Sequence, residues 1–169
     1  MRLTSFTDFG LRALMRMAGE PDRIHSTADM AAEFDISRNH LTKAIAVLAA
    51  AGIVETRRGN SGGALLARPP GSLRLGDIVM VLERDAALVE CFHADGGACT
   101  ITPNCRLKSR LAQARLRFIE DLNRHTLADC ALGAATTPAD TIQAIDIRAA
   151  HLGQSAATRR TRPLMEKKT

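Results

Sequence analysis

The sequence has no window of 18 consecutive apolar residues, so no segment reads as a membrane-spanning helix. Its first 19 residues also lack the uninterrupted apolar stretch and small-residue cleavage site of a secretory leader, and the expectation is a cytoplasmic protein. Catalytic constellations are missing too: there are no paired carboxylates, no nucleophile elbow and no Walker-type phosphate loop, and Ser61-Gly62-Gly63 is too short to count as one. An enzyme is therefore not expected. The paired Cys-x-x-Cys knuckles usual for structural zinc are absent, and no internal repeat is present. What remains is a chain of 169 residues, 46% apolar, long enough for one domain with a true core or a small domain with an appended helix.

The net charge of +5 is unevenly spread. Residues 1–70 hold nine Lys/Arg against seven Asp/Glu, residues 71–130 eight against eight, residues 131–157 one against two, and residues 158–169 five against one. Most of the excess lies in the tail, where a run such as Arg159-Arg160-Thr161-Arg162 reads first as solvated chain. Bulk charge is thus a weak argument for nucleic acid, and motif placement has to carry it.

Helical periodicity begins near Thr7, which reads as an N-cap, with Phe9, Leu14, Met17 and Ala18 on one stripe before Gly19-Glu20-Pro21-Asp22 ends the pattern. Residues 26–34 fit a second short helix and Asp35-Ile36 a turn. A third helix capped by Ser37 runs to residue 51 and buries Leu41, Ala44, Ile45 and Leu48. Arg38, Asn39, His40, Thr42 and Lys43 fall on its outer face, and Gly52 stops it. Two short helices with a tight turn, the second polar in its first turn, form the helix-turn-helix pattern. Residues 53–58 and 64–68 then read as two strands joined by Gly59-Asn60-Ser61-Gly62-Gly63, a loop rich in residues that tolerate positive φ. A hairpin in that place is a wing.

The expected fold is therefore mainly α with a small β-hairpin wing: a winged helix-turn-helix over residues 1–70, then a cysteine loop and dimerisation helix over residues 71–130, then a C-terminal extension over residues 131–169, partly disordered and ending in the basic tail. Residues 75–83 read as a helix burying Leu75, Ile78, Val79 and Leu82. From residue 105 to 123 the apolar positions Leu107, Leu111, Ala114, Phe118 and Leu122 recur every three or four residues, the mark of a helix able to pair with its own copy.

A helix of about 10–12 Å diameter fits the major groove, where only exposed side chains reach base edges. Ser37, Arg38, Asn39, His40, Thr42 and Lys43 are the candidate readers. Arg57 and Arg58, with the small residues Gly59, Asn60, Ser61, Gly62 and Gly63, are candidates for phosphate contact. Taken singly, each also fits a solvated helix face or an ordinary hairpin.

Four cysteines in a reducing compartment point to metal ligation or redox sensing rather than disulfides. Cys91, Cys99 and Cys105 fall within 15 residues at irregular spacing, which suits an iron-sulfur cluster because its inorganic core offers several corners to thiolates. Zinc, a thiol redox switch and no function stay open on spacing alone. His93, inside the loop, reads as a surface imidazole or a ligand, and Cys130 as a small buried hydrophobe.

The segments Met1-Arg2-Leu3-Thr4, Thr7-Asp8-Phe9-Gly10-Leu11-Arg12-Ala13-Leu14 and Arg57-Arg58-Gly59-Asn60-Ser61-Gly62-Gly63, with the three-cysteine loop, resemble the BadM/Rrf-two winged-helix regulators over residues 1–130, and within them the nitric-oxide-sensing NsrR branch. The resemblance implies a homodimer with crossed long helices, double-stranded operator DNA as partner, a 4Fe-4S or 2Fe-2S cluster on Cys91, Cys99 and Cys105 near the dimer interface, and repression lifted when nitric oxide destroys the cluster. It also implies a fourth, carboxylate ligand from the first helix of the partner, whose matching position is Asp8. Without the family, Asp8 is a routine first-turn acid favoured by the helix dipole. Sister regulators of the same fold sense cluster supply or redox state. Nothing after Cys130 finds a counterpart.

Overall fold

The computed structural model describes residues 3–59, 62–84, 86–93, 95–101 and 105–133. Asn60, Ser61 and all but the first three residues of the C-terminal extension lie outside them. Residues Met1–Ala135 form one compact unit.

Helix α1 spans Ser5–Gly19 and buries Gly10, Ala13, Leu14, Met17 and Ala18. It starts a turn earlier than expected. Thr4, not Thr7, is the N-cap: its hydroxyl oxygen accepts from the Thr7 N–H at 3.2 Å. Thr7 is fully buried and donates its hydroxyl to Glu83, a partner 76 positions away that local pattern could not reveal. Helix α2 spans Thr27–Glu33, capped by Ser26, whose hydroxyl accepts from the Asp29 N–H at 3.3 Å. Helix α3 spans Arg38–Ala50 and buries Leu41, Ala44, Ile45 and Leu48, the four expected positions. Ser37 occupies its N-cap but makes no side-chain capping bond. Gly52 turns the chain out of α3 at φ +67, and the Ile53 N–H reaches back to the Leu48 carbonyl at 3.0 Å, closing the helix end.

Strands β1 (Val54–Arg57) and β2 (Gly63–Leu66) pair antiparallel in the register Val54 to Leu66 and Arg57 to Gly63. They are shorter than the sequence pattern suggested, although β2 begins one residue earlier, at Gly63, and beyond the named strands the Ala67 N–H still donates to the Ile53 carbonyl at 3.0 Å. A third backbone joins them: His25 and Ala64 exchange both hydrogen bonds, 2.8 and 2.9 Å, so the wing is tied to the segment before α2.

A 3-10 turn at Pro70–Ser72 leads to α4 (Leu75–Leu82), which buries Ile78, Val79 and Leu82. Helix α5 (Arg106–Leu122) runs along α4, fastened by Asn123, whose amide oxygen accepts from the Asp77 N–H and whose amide NH₂ donates to the Asp77 carboxylate, both at 3.0 Å. Ile119 is the one buried side chain on α5. The chain then returns beneath α1, where Leu127 is 0% exposed. Leu14, Met17, Leu41, Leu48, Ile78 and Leu127 form the centre of a single core uniting α1, α3, α4 and the segment after α5. Cys130 is only half-buried at the end of the 3-10 turn Leu127–Cys130, so the small-hydrophobe reading is corrected: it borders the core without entering it. Among the described residues no helix is long and apolar enough to cross a membrane.

Candidate nucleic-acid interface and cysteine loop

Arg38, Asn39, His40, Thr42 and Lys43 are all exposed. They are exposed because α3 spends its other face on the core, leaving one polar face to solvent, with His40 at the side that meets α1. The Thr42 hydroxyl donates to the Arg38 carbonyl at 2.8 Å, so its proton is engaged and its oxygen is left to act as an acceptor. The His40 ring stacks on Phe9 with centroids 6.2 Å apart and planes inclined by 16°, which fixes the imidazole against α1.

An open cleft of about 520 Å³ lies between α3, the wing and the start of α2. Arg38 and Thr42 line one wall, Arg57, Gly59, Gly62 and Gly63 another, and Ser26 and Thr27 the end. Six of the sequence-predicted residues thus share one concavity. Ser26 and Thr27 were missed; the signal was present, since Ser26 was already legible as the start of a helix. Arg57 contacts Glu55 at 3.4 Å with both side chains more than half exposed, a pair that water screens and that leaves the guanidinium available.

The glycines of the wing serve two purposes. Gly59 takes φ +111, a conformation that side chains oppose. At Gly62 and Gly63 glycine is needed for close approach, as a Cβ on Gly63 would lie 2.3 Å from the His25 carbonyl oxygen and one on Gly62 2.4 Å from that of Arg57. The small residues let the wing lie flat on its neighbours.

Residues 3–132 match the Rrf2 family, described as an iron-dependent transcriptional regulator. The chain belongs to the Rrf2 family. It is accordingly a DNA-binding winged-helix transcription regulator and not an enzyme. Among solved structures it is similar to Staphylococcus aureus CymR in its oxidized form (22% identity, TM-score 0.61, covering 80% of this chain and 100% of that one). It is also similar to CymR, the global cysteine regulator of B. subtilis (26%, 0.59, 78% and 96%), and to T. potens IscR (28%, 0.57, 76% and 85%).

Three of the cysteines of this Rrf2 chain lie between α4 and α5. Cys91 is buried in the 3-10 turn Glu90–Phe92, Cys99 is half-buried, and Cys105 is the half-buried N-cap of α5; all are free thiols. Glu90 organises the turn between them, its carboxylate accepting from the Ala98 N–H at 3.2 Å while its carbonyl accepts from the His93 N–H at 3.1 Å. His93 is exposed. The donor chemistry suits soft, thiolate-bound iron. The side chains are not gathered, however: among the described residues no three His, Cys, Asp or Glu groups come close enough to hold one metal ion. Residues 102–104 of the loop lie outside the described residues. Asp8 projects from the first turn of α1 and forms a two-point pair with Arg12, Oδ2 to Nη2 at 2.8 Å and Oδ1 to Nε at 3.2 Å, with each side chain nearly half exposed.

Glu83, which sequence reading left unassigned, is buried at the C-cap of α4 and accepts from the Thr4 N–H and the Thr4 hydroxyl, both at 2.8 Å, and from the Thr7 hydroxyl. Burial pushes its pKa up, but the bonds from Thr7 and Thr4 outweigh it, with Arg115 adding to them, and hold the carboxyl below the ordinary 4.5. The entry to the cysteine segment is thereby fixed to the first turn of α1.

Proposed function

We propose that this Rrf2 chain is a cytoplasmic, homodimeric, iron-sulfur-dependent repressor of the NsrR branch, released from its operator by nitric oxide. One observation carries the cluster part of this reading. Cys105 caps α5, and Arg106 and Lys108 follow it with no acid in the first turn. Cations at the positive end of a helix are unfavourable. An anionic thiolate-iron group held beside them would offset that cost.

Cys91, Cys99 and Cys105 would hold the group, with the carboxylate of Asp8 of the partner subunit as fourth ligand. When bound, it supplies iron that reacts with nitric oxide. Asp8 would have to leave Arg12 to take part, so the pair with Arg12 is the competing state. Dimerisation is supported by apolar surface left uncovered on the single chain: Leu107 is 62% and Leu116 58% exposed on α5, and Met80 51% on α4. A symmetric dimer reads two half-sites a whole number of turns apart, so its posture sets affinity. Coupling of about 1–3 kcal/mol would change operator affinity roughly 5- to 150-fold.

The test is anaerobic purification with iron and sulfide analysis, followed by operator binding at fixed salt with and without nitric oxide. The expected result is a coloured protein whose tight binding is lost on exposure. Equal operator affinity of loaded and metal-free dimers would overturn it.

A second reading is a thiol- or zinc-based regulator of the same fold. It draws on the free, ungathered thiols and on the likeness to a global cysteine regulator, and to CymR in an oxidized form. It predicts a colourless protein whose binding follows oxidant or zinc. Sensing of cluster supply or redox state through the same cysteines would show as colour without a nitric oxide response.

A further inference from the structure

Two of the hydroxyl groups that line the cleft between α3 and the wing are wired in opposite directions. The Ser26 oxygen accepts from the Asp29 N–H at 3.3 Å, which leaves its own proton to be given to another acceptor. The Thr42 hydroxyl gives its proton to the Arg38 carbonyl at 2.8 Å, which leaves it only lone pairs to offer. Thr42 is exposed, so those lone pairs are within reach of a ligand in the cleft. Turning the hydroxyl to donate elsewhere would forfeit a hydrogen bond already made.

DNA answers the two polarities differently. Its phosphate oxygens only accept, so an acceptor set against them gains nothing, and the donors it presents in the major groove are the exocyclic amines of adenine and cytosine. On α3 such an acceptor is scarce. Arg38 and Lys43 bring donors alone, Asn39 brings both, and His40 is stacked against Phe9. Residues 38–50 contain no Asp or Glu. Along the row of α3 that lines the cleft, Arg38 and Thr42 are followed by Ala46 and Ala49, so beyond Thr42 only methyl groups remain and no polar neighbour competes for what it meets.

We propose that Thr42 is a specificity-determining residue whose hydroxyl oxygen accepts a hydrogen bond from the exocyclic amine of an adenine or a cytosine in the major groove. Its signature is a preference for adenine or cytosine over guanine or thymine at one position of each half-site, on one strand. Such reading needs the DNA binding of the Rrf2 family and α3 in the groove. It needs neither thiolate-bound iron nor nitric oxide, so a failed cluster leaves it standing.

The experiment selects binding sites from a random-sequence DNA duplex library with the full chain, purified without air and again in air, and in parallel with T42V and T42S. The wild type should enrich adenine or cytosine at one half-site position roughly 3- to 10-fold, the worth of one hydrogen bond. T42V keeps the shape and loses the oxygen; it should retain the rest of the site and lose that preference, whereas T42S should keep it. Replacing the selected base by purine or pyrimidin-2-one, which lack only the amine, should cost the wild type the same factor and T42V nothing. The proposal is overturned if T42V selects the wild-type site and binds it uniformly more weakly, as a phosphate or structural role requires. It is equally overturned if T42S loses the preference, if the missing amine costs both proteins alike, or if the wild type enriches no sequence in either preparation.

Discussion

The winged-helix half and the cysteine half of this chain are built to different standards of completeness. In the first, α1 and α3 bury Ala13, Leu14, Met17, Leu41, Ala44 and Leu48 with no exposure at all, and the wing is locked at its base by His25. In the second, a 17-residue helix buries Ile119 alone, while Leu107 and Leu116 face water and, among the described residues, no three His, Cys, Asp or Glu groups gather. The reading head is finished within one chain. The other half leaves apolar surface uncovered within one chain, and on the proposed reading a second copy and a bound group would complete it, so that this half would report their loss.

The strongest way to break this contrast is to truncate one leucine in each half. Leu48→Ala or Leu41→Ala should cost about 2–5 kcal/mol in urea unfolding, because each is fully enclosed. Leu107→Ala should leave the urea midpoint of dilute monomer within about 0.5 kcal/mol of wild type and weaken self-association in sedimentation instead. Equal losses for both would show that α5 is part of the same enclosed core.

Gly63→Ala tests the wing base. Its Cβ would meet the His25 carbonyl, so a loss of about 1–3 kcal/mol is expected, together with weaker operator binding. Unchanged stability would mean that the wing is loosely held.

Glu83→Gln tests the seam between the halves. The hydrogen bonds hold the native carboxyl below 4.5, so the unfolded chain takes up a proton first as pH falls. The stabilisation is complete well above pH 4.5 and fades below it. The variant should lose about 1–2 kcal/mol at pH 7, with the difference shrinking towards pH 3. A difference constant across that range would mean that the charge is immaterial. The smallest effect is expected at the exposed Arg124–Asp121 pair, 3.5 Å apart, where Asp121→Asn should change stability by less than about 0.5 kcal/mol and not at all in high salt.

What the sequence made legible follows the same division. Helix α3 could be read to within a residue because its burial is periodic and local. The first helix was misplaced at its start because Thr4 and Thr7 offer the same hydroxyl, and only Glu83, far along the chain, decides which is inside. The α5 stripe from Leu107 to Leu122 was legible as a pattern, yet Ile119, one position off it, meets α4. The close approaches at Gly62 and Gly63 were unreadable, since glycine in a turn suggests conformational freedom before it suggests crowding. Among the candidate DNA contacts, exposure was readable from α3, but the shared cleft with Ser26 depends on the His25 backbone pairing, which leaves no mark in composition.

The bond cluster at Glu83 makes the cysteine segment a span anchored on two piers. One pier is the first turn of α1, the other the start of α5, and α1 lies directly on α3. On the proposed reading, a rearrangement along that span would reach the exposed face of α3 as tension on a single helix, without any need for the hydrophobic interior to loosen.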